Sequence, residues 1–94
     1  MIRSFRNTET EQLFNRQRAR AVPNDIQRRV YRKLRQIHAS TSINDLRTPP
    51  GNRLEALSGS REGQHSIRVN DQWRICFRWD AGHAYDVEVV DYHL

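Results

Sequence analysis

Gln72-Trp73-Arg74-Ile75-Cys76-Phe77-Arg78-Trp79 alternates without a fault: Trp73, Ile75, Phe77 and Trp79 fall on one side of an extended chain, Arg74, Cys76 and Arg78 on the other. Period 2 marks a half-buried strand, because successive side chains point to opposite faces of a sheet. The aromatic and aliphatic side must be covered, so the side bearing Arg74 and Arg78 looks at solvent or at a ligand. Asp80-Ala81-Gly82-His83 turns the chain back, and residues 84–90 alternate again, with Tyr85, Val87 and Val89 opposite Asp86 and Glu88. Upstream, residues 64–69 form a further strand closed by an Asn70-Asp71 turn. Residues 53–58 form another, before a Gly59-Ser60-Arg61-Glu62-Gly63 loop. Short links between such runs predict an antiparallel meander.

Before Gly51 the period is that of a helix. Ile26, Val30, Leu34 and Ile37 recur at intervals of three and four, one apolar stripe on a helix over residues 24–39. Pro23 disfavours helix in the residue before it and separates this helix from an earlier one. The earlier helix carries Leu13 and Phe14 inward and starts at Thr8-Glu9-Thr10-Glu11, a match to the capping box. Residues 2–5 read as a short opening strand. Residues 40–52 read as connector, with one helical turn at 41–46 and a stop at Thr48-Pro49-Pro50-Gly51-Asn52. Consecutive helices followed by hairpin-linked strands predict an α+β fold, two N-terminal helices packed on one face of an antiparallel sheet, in a single domain over residues 1–94.

Ninety-four residues suffice for one core. No apolar run approaches the roughly 20 residues that span a bilayer. Met1-Ile2-Arg3-Ser4-Phe5-Arg6 has no apolar stretch behind its basic residues and reads as no secretory signal. Cys76 has no second cysteine to pair with, so the expected location is the cytoplasm. The four histidines are scattered, without the spacing of a zinc site, so no metal and no cofactor is expected. Sixteen basic residues against eleven acidic give a net charge of +5. All the basic residues but Lys33 are arginine, whose planar fork pairs bidentately with phosphate and stacks on bases. An arginine-rich but merely solvated surface is the competing explanation.

Strand parity puts Arg68 and Ser66 beside Arg74 and Arg78, with Arg53 and Glu55 reaching the same face from the preceding strand. Such a face is a phosphate cradle, or a set of cross-strand ion pairs with Asp86 and Glu88. Asp91-Tyr92-His93 continues the last strand and is expected beside these arginines, where histidine serves as a general acid near neutral pH. Glu55 reads as a partner for Arg53, Arg68 or Arg74. Cys76 reads as a small buried filler, and His38 as a cap for the last carbonyls of the second helix. Arg28, Arg29, Arg32 and Arg35 have three readings: a solvated face, a docking surface for ribosomal RNA, or a surface for a partner helix.

The run from Arg53 to Phe77, above all Leu54-Glu55-Ala56-Leu57-Ser58-Gly59 and Asn70-Asp71-Gln72-Trp73-Arg74-Ile75, resembles the HigB branch of the RelE-like toxins, as does the closing Asp91-Tyr92-His93. The resemblance runs from Ile2 onward. It implies the RelE-like toxin fold and the toxin half of a type II toxin–antitoxin system. The implied activity is a metal-independent endoribonuclease acting on mRNA in the A site of the 70S ribosome. The implied antitoxin is a helix-turn-helix protein, HigA-like. In that chemistry the RNA's own 2′-hydroxyl attacks the adjacent phosphate. The resemblance then implies Glu55 as base, Arg74 with Arg68 or Arg78 as stabilisers of the charged phosphorane, His93 as acid, Tyr92 to hold or stack the nucleotide and Asp91 to orient His93. Arg53, Arg61, Arg68 and Arg78 are expected to bind the RNA. Some HigB-type toxins carry Leu-His-Pro-Leu where this chain reads Leu54-Glu55-Ala56-Leu57; the related YoeB toxins have a glutamate there, with an arginine and a terminal Tyr-His matching Arg74 and Tyr92-His93. The alternatives are a non-catalytic toxin of the same fold that binds DNA gyrase, as ParE does, and a plain RNA-binding module.

Overall fold

The computed structural model describes residues 1–92. Four antiparallel strands follow in chain order across one sheet, β1 (Glu55–Ala56), β2 (Gln64–Arg68), β3 (Trp73–Asp80) and β4 (His83–Asp91). Two helices, α1 (Thr8–Phe14) and α2 (Asn24–Ala39), pack on one face of that sheet. Ile26, Val30, Leu34 and Ile37 of α2 are all buried, and Val30, Leu34 and Ile37 are completely so. They meet Ile67, Ile75, Phe77, Val87 and Val89 from the sheet, with Trp73 and Trp79 packed at the margin. The alternation of β3 therefore has the direction expected of it. Burying a large aliphatic or aromatic side chain contributes about 1.5–3 kcal/mol, and this single cluster holds the two layers together.

β4 departs from the expected parity. Cys76 pairs with Glu88 and Arg78 with Tyr85, so two residues of β4 stand opposite Phe77 alone. The extra residue is Asp86, in the left-handed region at φ 53°. Its amide donates to Ser4 Oγ at 2.9 Å, and the next amide, Val87 N, donates to the Ser4 carbonyl at 3.1 Å. A bulge of this kind resets the alternation. Ala84, Val87 and Val89 face the helices, while Tyr85 shares the opposite face with Arg78, whose guanidinium carbon sits 5.5 Å from the Tyr85 ring centre. Tyr85 is thus not a neighbour of Val87 and Val89.

The same bulge breaks up the opening strand. Ile2 and Phe5 make isolated parallel bridges to Ala84 and Val87, covering the free edge of β4 instead of forming a continuous strand. Asn7, not Thr8, caps α1: its Oδ1 accepts from Thr10 N at 2.9 Å and from Thr10 Oγ1 at 2.6 Å. The buried Thr10 hydroxyl in turn accepts the Val89 amide at 3.0 Å, which ties α1 to the sheet edge. His38 accepts the Ile2 amide on Nδ1 at 3.1 Å and so anchors the N-terminal segment, not the carbonyls of its own helix.

The connector forms 3-10 turns at Ile43–Arg47 and Pro50–Asn52. Asn52 is fully buried; its amide donates to Gln36 Oε1 and the Leu46 carbonyl, both at 3.1 Å, and its oxygen accepts from Lys33. Arg53 follows in the left-handed region, so the expected strand over 53–58 shrinks to Glu55–Ala56. Among the described residues no helix is long and apolar enough to cross a membrane.

Candidate active site

β2 and β3 bring Arg68 and Arg74 directly opposite each other, and β1 sets Glu55 opposite Ser66 on the same face, the one the helices leave bare. Two guanidinium groups facing across a ladder repel. Each is neutralised from its own side: Asp71 pairs with Arg68, and Glu55 Oε1 lies 3.4 Å from Arg74 NH2. Arg74 is held more firmly than an ion pair alone would hold it. Its Nε donates to Ser66 Oγ at 2.8 Å and its NH2 to the Arg53 carbonyl at 2.8 Å, which the left-handed turn at Arg53 aims toward the sheet. The Arg74 side chain keeps only 12 % of its accessible surface, yet NH1 has no hydrogen-bond partner among the described residues. Tyr92, whose amide donates to the Gln72 carbonyl at 2.7 Å, places its ring centre 5.9 Å from the Arg74 guanidinium carbon.

These groups surround one shallow depression of about 330 Å³, lined by Arg53, Glu55, Arg68, Asn70, Asp71, Arg74 and Tyr92. It combines a carboxylate half-open to solvent, a fixed guanidinium, a second guanidinium across the ladder and an aromatic ring at the rim. Positive charge is dense at this end of the sheet. Burial pulls the Lys33 ammonium below its usual value, and Arg29 and Arg68 push it further down. A phosphate diester bound here meets donors already oriented, and donors fixed in advance are the strongest means a protein has of stabilising charge that develops in a transition state.

With this geometry in place, comparison with known proteins is decisive. The model of the HigB-like toxins, described as the RelE-like toxin HigB of type II toxin–antitoxin systems, matches residues 3–93. The chain belongs to the HigB-like toxins. It is 41 % identical over 85 residues to Toxin HigB-1 of Vibrio cholerae, covering 89 % of this chain and 90 % of that one. It is 36 % identical over 93 residues to Endoribonuclease HigB of Proteus vulgaris, covering 99 % and 100 %. Among solved structures it resembles a chain of the YoeB–YefM complex from Staphylococcus aureus, with a TM-score of 0.60, covering 100 % of this chain and 99 % of that one at 17 % identity, a likeness of fold. As a toxin of a type II system, this HigB-like protein has an antitoxin for a partner.

The site residues expected from the sequence divide into groups. Glu55, Arg53, Arg68, Arg74 and Tyr92 come together in the depression. Arg78 lies outside it, paired with Asp86 at 2.9 Å and stacked near Tyr85. Arg61 also lies outside the lining. It binds Glu88 at 2.8 Å; Glu88 is buried and also takes Arg6 at 3.1 Å. Burial works against the Arg61 charge, but the hydrogen bond to Glu88 and the nearby negative groups more than offset it and leave its pKa raised. Asp91 stands opposite Trp73 in the ladder and accepts from Gln72 Nε2 at 3.0 Å. His93 lies outside the described residues.

Cys76 is completely buried between Ser66 and Glu88, and burial pushes its thiol up. It is filler on this face. Sequence reading missed Asn70 and Asp71 as lining residues, because a turn dipeptide reads as chain reversal only. Their signal is position: the turn joins the two strand ends that carry Arg68 and Arg74. Asn70 Oδ1 accepts the amides of Gln72 and Trp73 at 2.9 and 2.7 Å and so fixes that turn.

Proposed function

We propose that this HigB-like toxin is an endoribonuclease that cuts mRNA in the ribosomal A site without a metal, and that the depression around Arg74 is where it does so. The observation that supports this most is the immobilised Arg74, flanked by Glu55, Arg68 and Tyr92 on the sheet face that no helix covers. Chemistry by the substrate's own 2′-hydroxyl needs a proton acceptor at O2′, cations for the phosphorane and a proton donor at O5′.

Glu55 takes the 2′-hydroxyl proton as O2′ attacks the adjacent phosphorus. The equatorial oxygens of the phosphorane gain charge, which Arg74 NH1 and the Arg68 guanidinium stabilise. The P–O5′ bond breaks, and His93 protonates the departing oxygen, with Asp91 orienting the imidazole. The products are a 2′,3′-cyclic phosphate and a 5′-hydroxyl. Tyr92 holds the nucleotide at the rim, and Arg53, Arg61 and Arg78 meet flanking phosphates. The protein acts in the cytoplasm, and a helix-turn-helix antitoxin of the HigA type neutralises it.

A reconstituted translation reaction tests this. Wild-type protein should cut within translated codons and leave 5′-hydroxyl ends. Ends bearing 5′-phosphate, the mark of hydrolysis by an activated water, would remove the mechanism, and intact mRNA would remove the activity.

A further inference from the structure

A second concavity, larger than the depression around Arg74, lies among the described residues. It is a groove of about 720 Å³ between the loop over residues 15–22 and the outer flank of α2, with Arg16, Arg18, Arg28 and Arg32 around it and Tyr31 in its wall. No carboxylate lines it, and none of these four arginines makes an ion pair among the described residues. The loop is pinned in place: Gln27 Nε2 donates to the carbonyls of Ala19 and Val22, both at 2.8 Å. Arg16 is left-handed at φ 60°, and its guanidinium carbon lies 4.6 Å over the centre of the Tyr31 ring. Four guanidinium groups gathered without a counter-charge repel one another and oppose folding, unless a polyanion completes the site.

We propose that this groove binds the phosphate backbone of duplex RNA and serves as an anchoring site separate from cleavage. Two features choose this occupant. An acidic helix laid into a groove depends on apolar anchors; the one aliphatic residue of this lining, Leu13, is already 2 % exposed and committed to the core. An unpaired strand depends on stacking platforms; the one aromatic residue here, Tyr31, has a face taken by Arg16. What remains is a set of cationic forks and neutral amides, suited to backbone contacts on a duplex read by shape.

The groove is built on the helix layer, and the depression on the sheet face that the helices leave bare. Ile26, Val30 and Leu34 of α2 face the sheet, Arg28 and Arg32 are exposed away from it, and Arg74 lies beyond the sheet on its bare face. The protein therefore holds folded RNA on one side while a single strand occupies the other. This rests on the RNA-cleavage reading and adds to it a reason for dependence on the ribosome, a particle of folded RNA beside the mRNA.

The test uses the full chain with Arg28→Glu and Arg32→Glu together, both positions being exposed, and checks folding by thermal melting. The probes are a labelled RNA hairpin of about 16 base pairs and a single strand of about 12 nucleotides. The double variant should bind the hairpin at least about tenfold more weakly at about 0.1 M salt, and the slope of log K against log salt should shrink by about 1.8. Arg28→Lys with Arg32→Lys should retain most of the binding. Cleavage of ribosome-bound mRNA should fall with hairpin affinity, while slow cutting of the free single strand stays at the wild-type level. Unchanged hairpin binding and salt slope overturn the proposal. Loss of antitoxin affinity with RNA affinity intact also overturns it, in favour of a protein partner. Arg74→Ala separates the two readings: if no protein cuts RNA but hairpin binding still depends on Arg28 and Arg32, the cleavage reading fails and the anchoring site stands.

Discussion

Ser66 accepts a hydrogen bond from Arg74 Nε at 2.8 Å, and Ser66 is itself completely buried. With Nε on the buried hydroxyl and NH2 on the Arg53 carbonyl, NH1 is the nitrogen left without a hydrogen-bond partner among the described residues, and a donor oriented in advance loses little freedom when it meets a phosphate. In the proposed reaction Arg74 acts on the phosphate, and Ser66 is a positioning residue that acts through it.

Ser66→Ala should fold, because an alanine fits the site and removes only one polar partner. Cleavage should fall by about tenfold or more, since small displacements of a catalytic group carry costs of that order. The loss should appear in kcat rather than KM. Steady-state kinetics on ribosome-bound mRNA measures both, and an unchanged kcat would show that Arg74 is held well enough without the serine.

Acid should loosen the N-terminal segment through His38. Burial, with help from Arg35 and the amino terminus, lowers the His38 pKa below its usual 6.5, in keeping with Nδ1 acting as acceptor for Ile2. As pH falls below about 6.5 the unfolded chain binds a proton that the folded one does not, so stability falls with pH in that window. The melting midpoint should drop between about pH 7.5 and 5.5. His38→Gln, which offers an acceptor that does not titrate, should flatten that part of the profile; an equally steep profile in the variant would assign the effect to other groups.

The β3–β4 hairpin carries an avoidable strain. Ala81 and Gly82 both have positive φ, 49° and 83°, between the paired Asp80 and His83. Such two-residue turns favour Asn-Gly, because an L-residue with a Cβ is disfavoured in the left-handed region. Ala81→Asn should raise stability by about 1 kcal/mol, or about 4–8 °C in melting midpoint. Gly82→Ala should lower it, since the new Cβ would lie 3.2 Å from the Thr41 carbonyl oxygen in a left-handed backbone. Calorimetry on the two variants decides; a stability order of Gly82→Ala above Ala81→Asn would be inconsistent with the turn geometry.

How much of this was legible in the sequence follows from which forces act locally. β3 and α2 are visible because each carries a strict period over two or more turns or pleats, and their residues 73–79 and 24–39 were readable from that alone. Arg68, Arg74 and Glu55 follow from the same parity. Tyr85 was misplaced because the bulge at Asp86 is made by Ser4, which is 82 residues away in the chain and leaves no periodic trace. The Asn7 cap, the left-handed Arg53 and the His38 tether to Ile2 share that character. Arg61 was expected with the other cations because its charge is visible; its buried partner Glu88 reads as an exposed strand position unless the arginines flanking it are known.

The contrast between Arg74 and Arg78 tests the central claim most directly. Both lie on the bare face of β3, but only Arg74 is immobilised in the depression with Glu55 and Tyr92, while Arg78 is half-exposed beside Asp86. In a reconstituted translation reaction with mapped RNA ends, Arg74→Ala should reduce cleavage by about 100-fold or more, the scale of losing one preorganised donor. Arg78→Ala should change it by less than about fivefold, as expected for a solvent-screened contact. Cleavage at the wild-type rate by Arg74→Ala, or a larger loss in Arg78→Ala, would contradict the account.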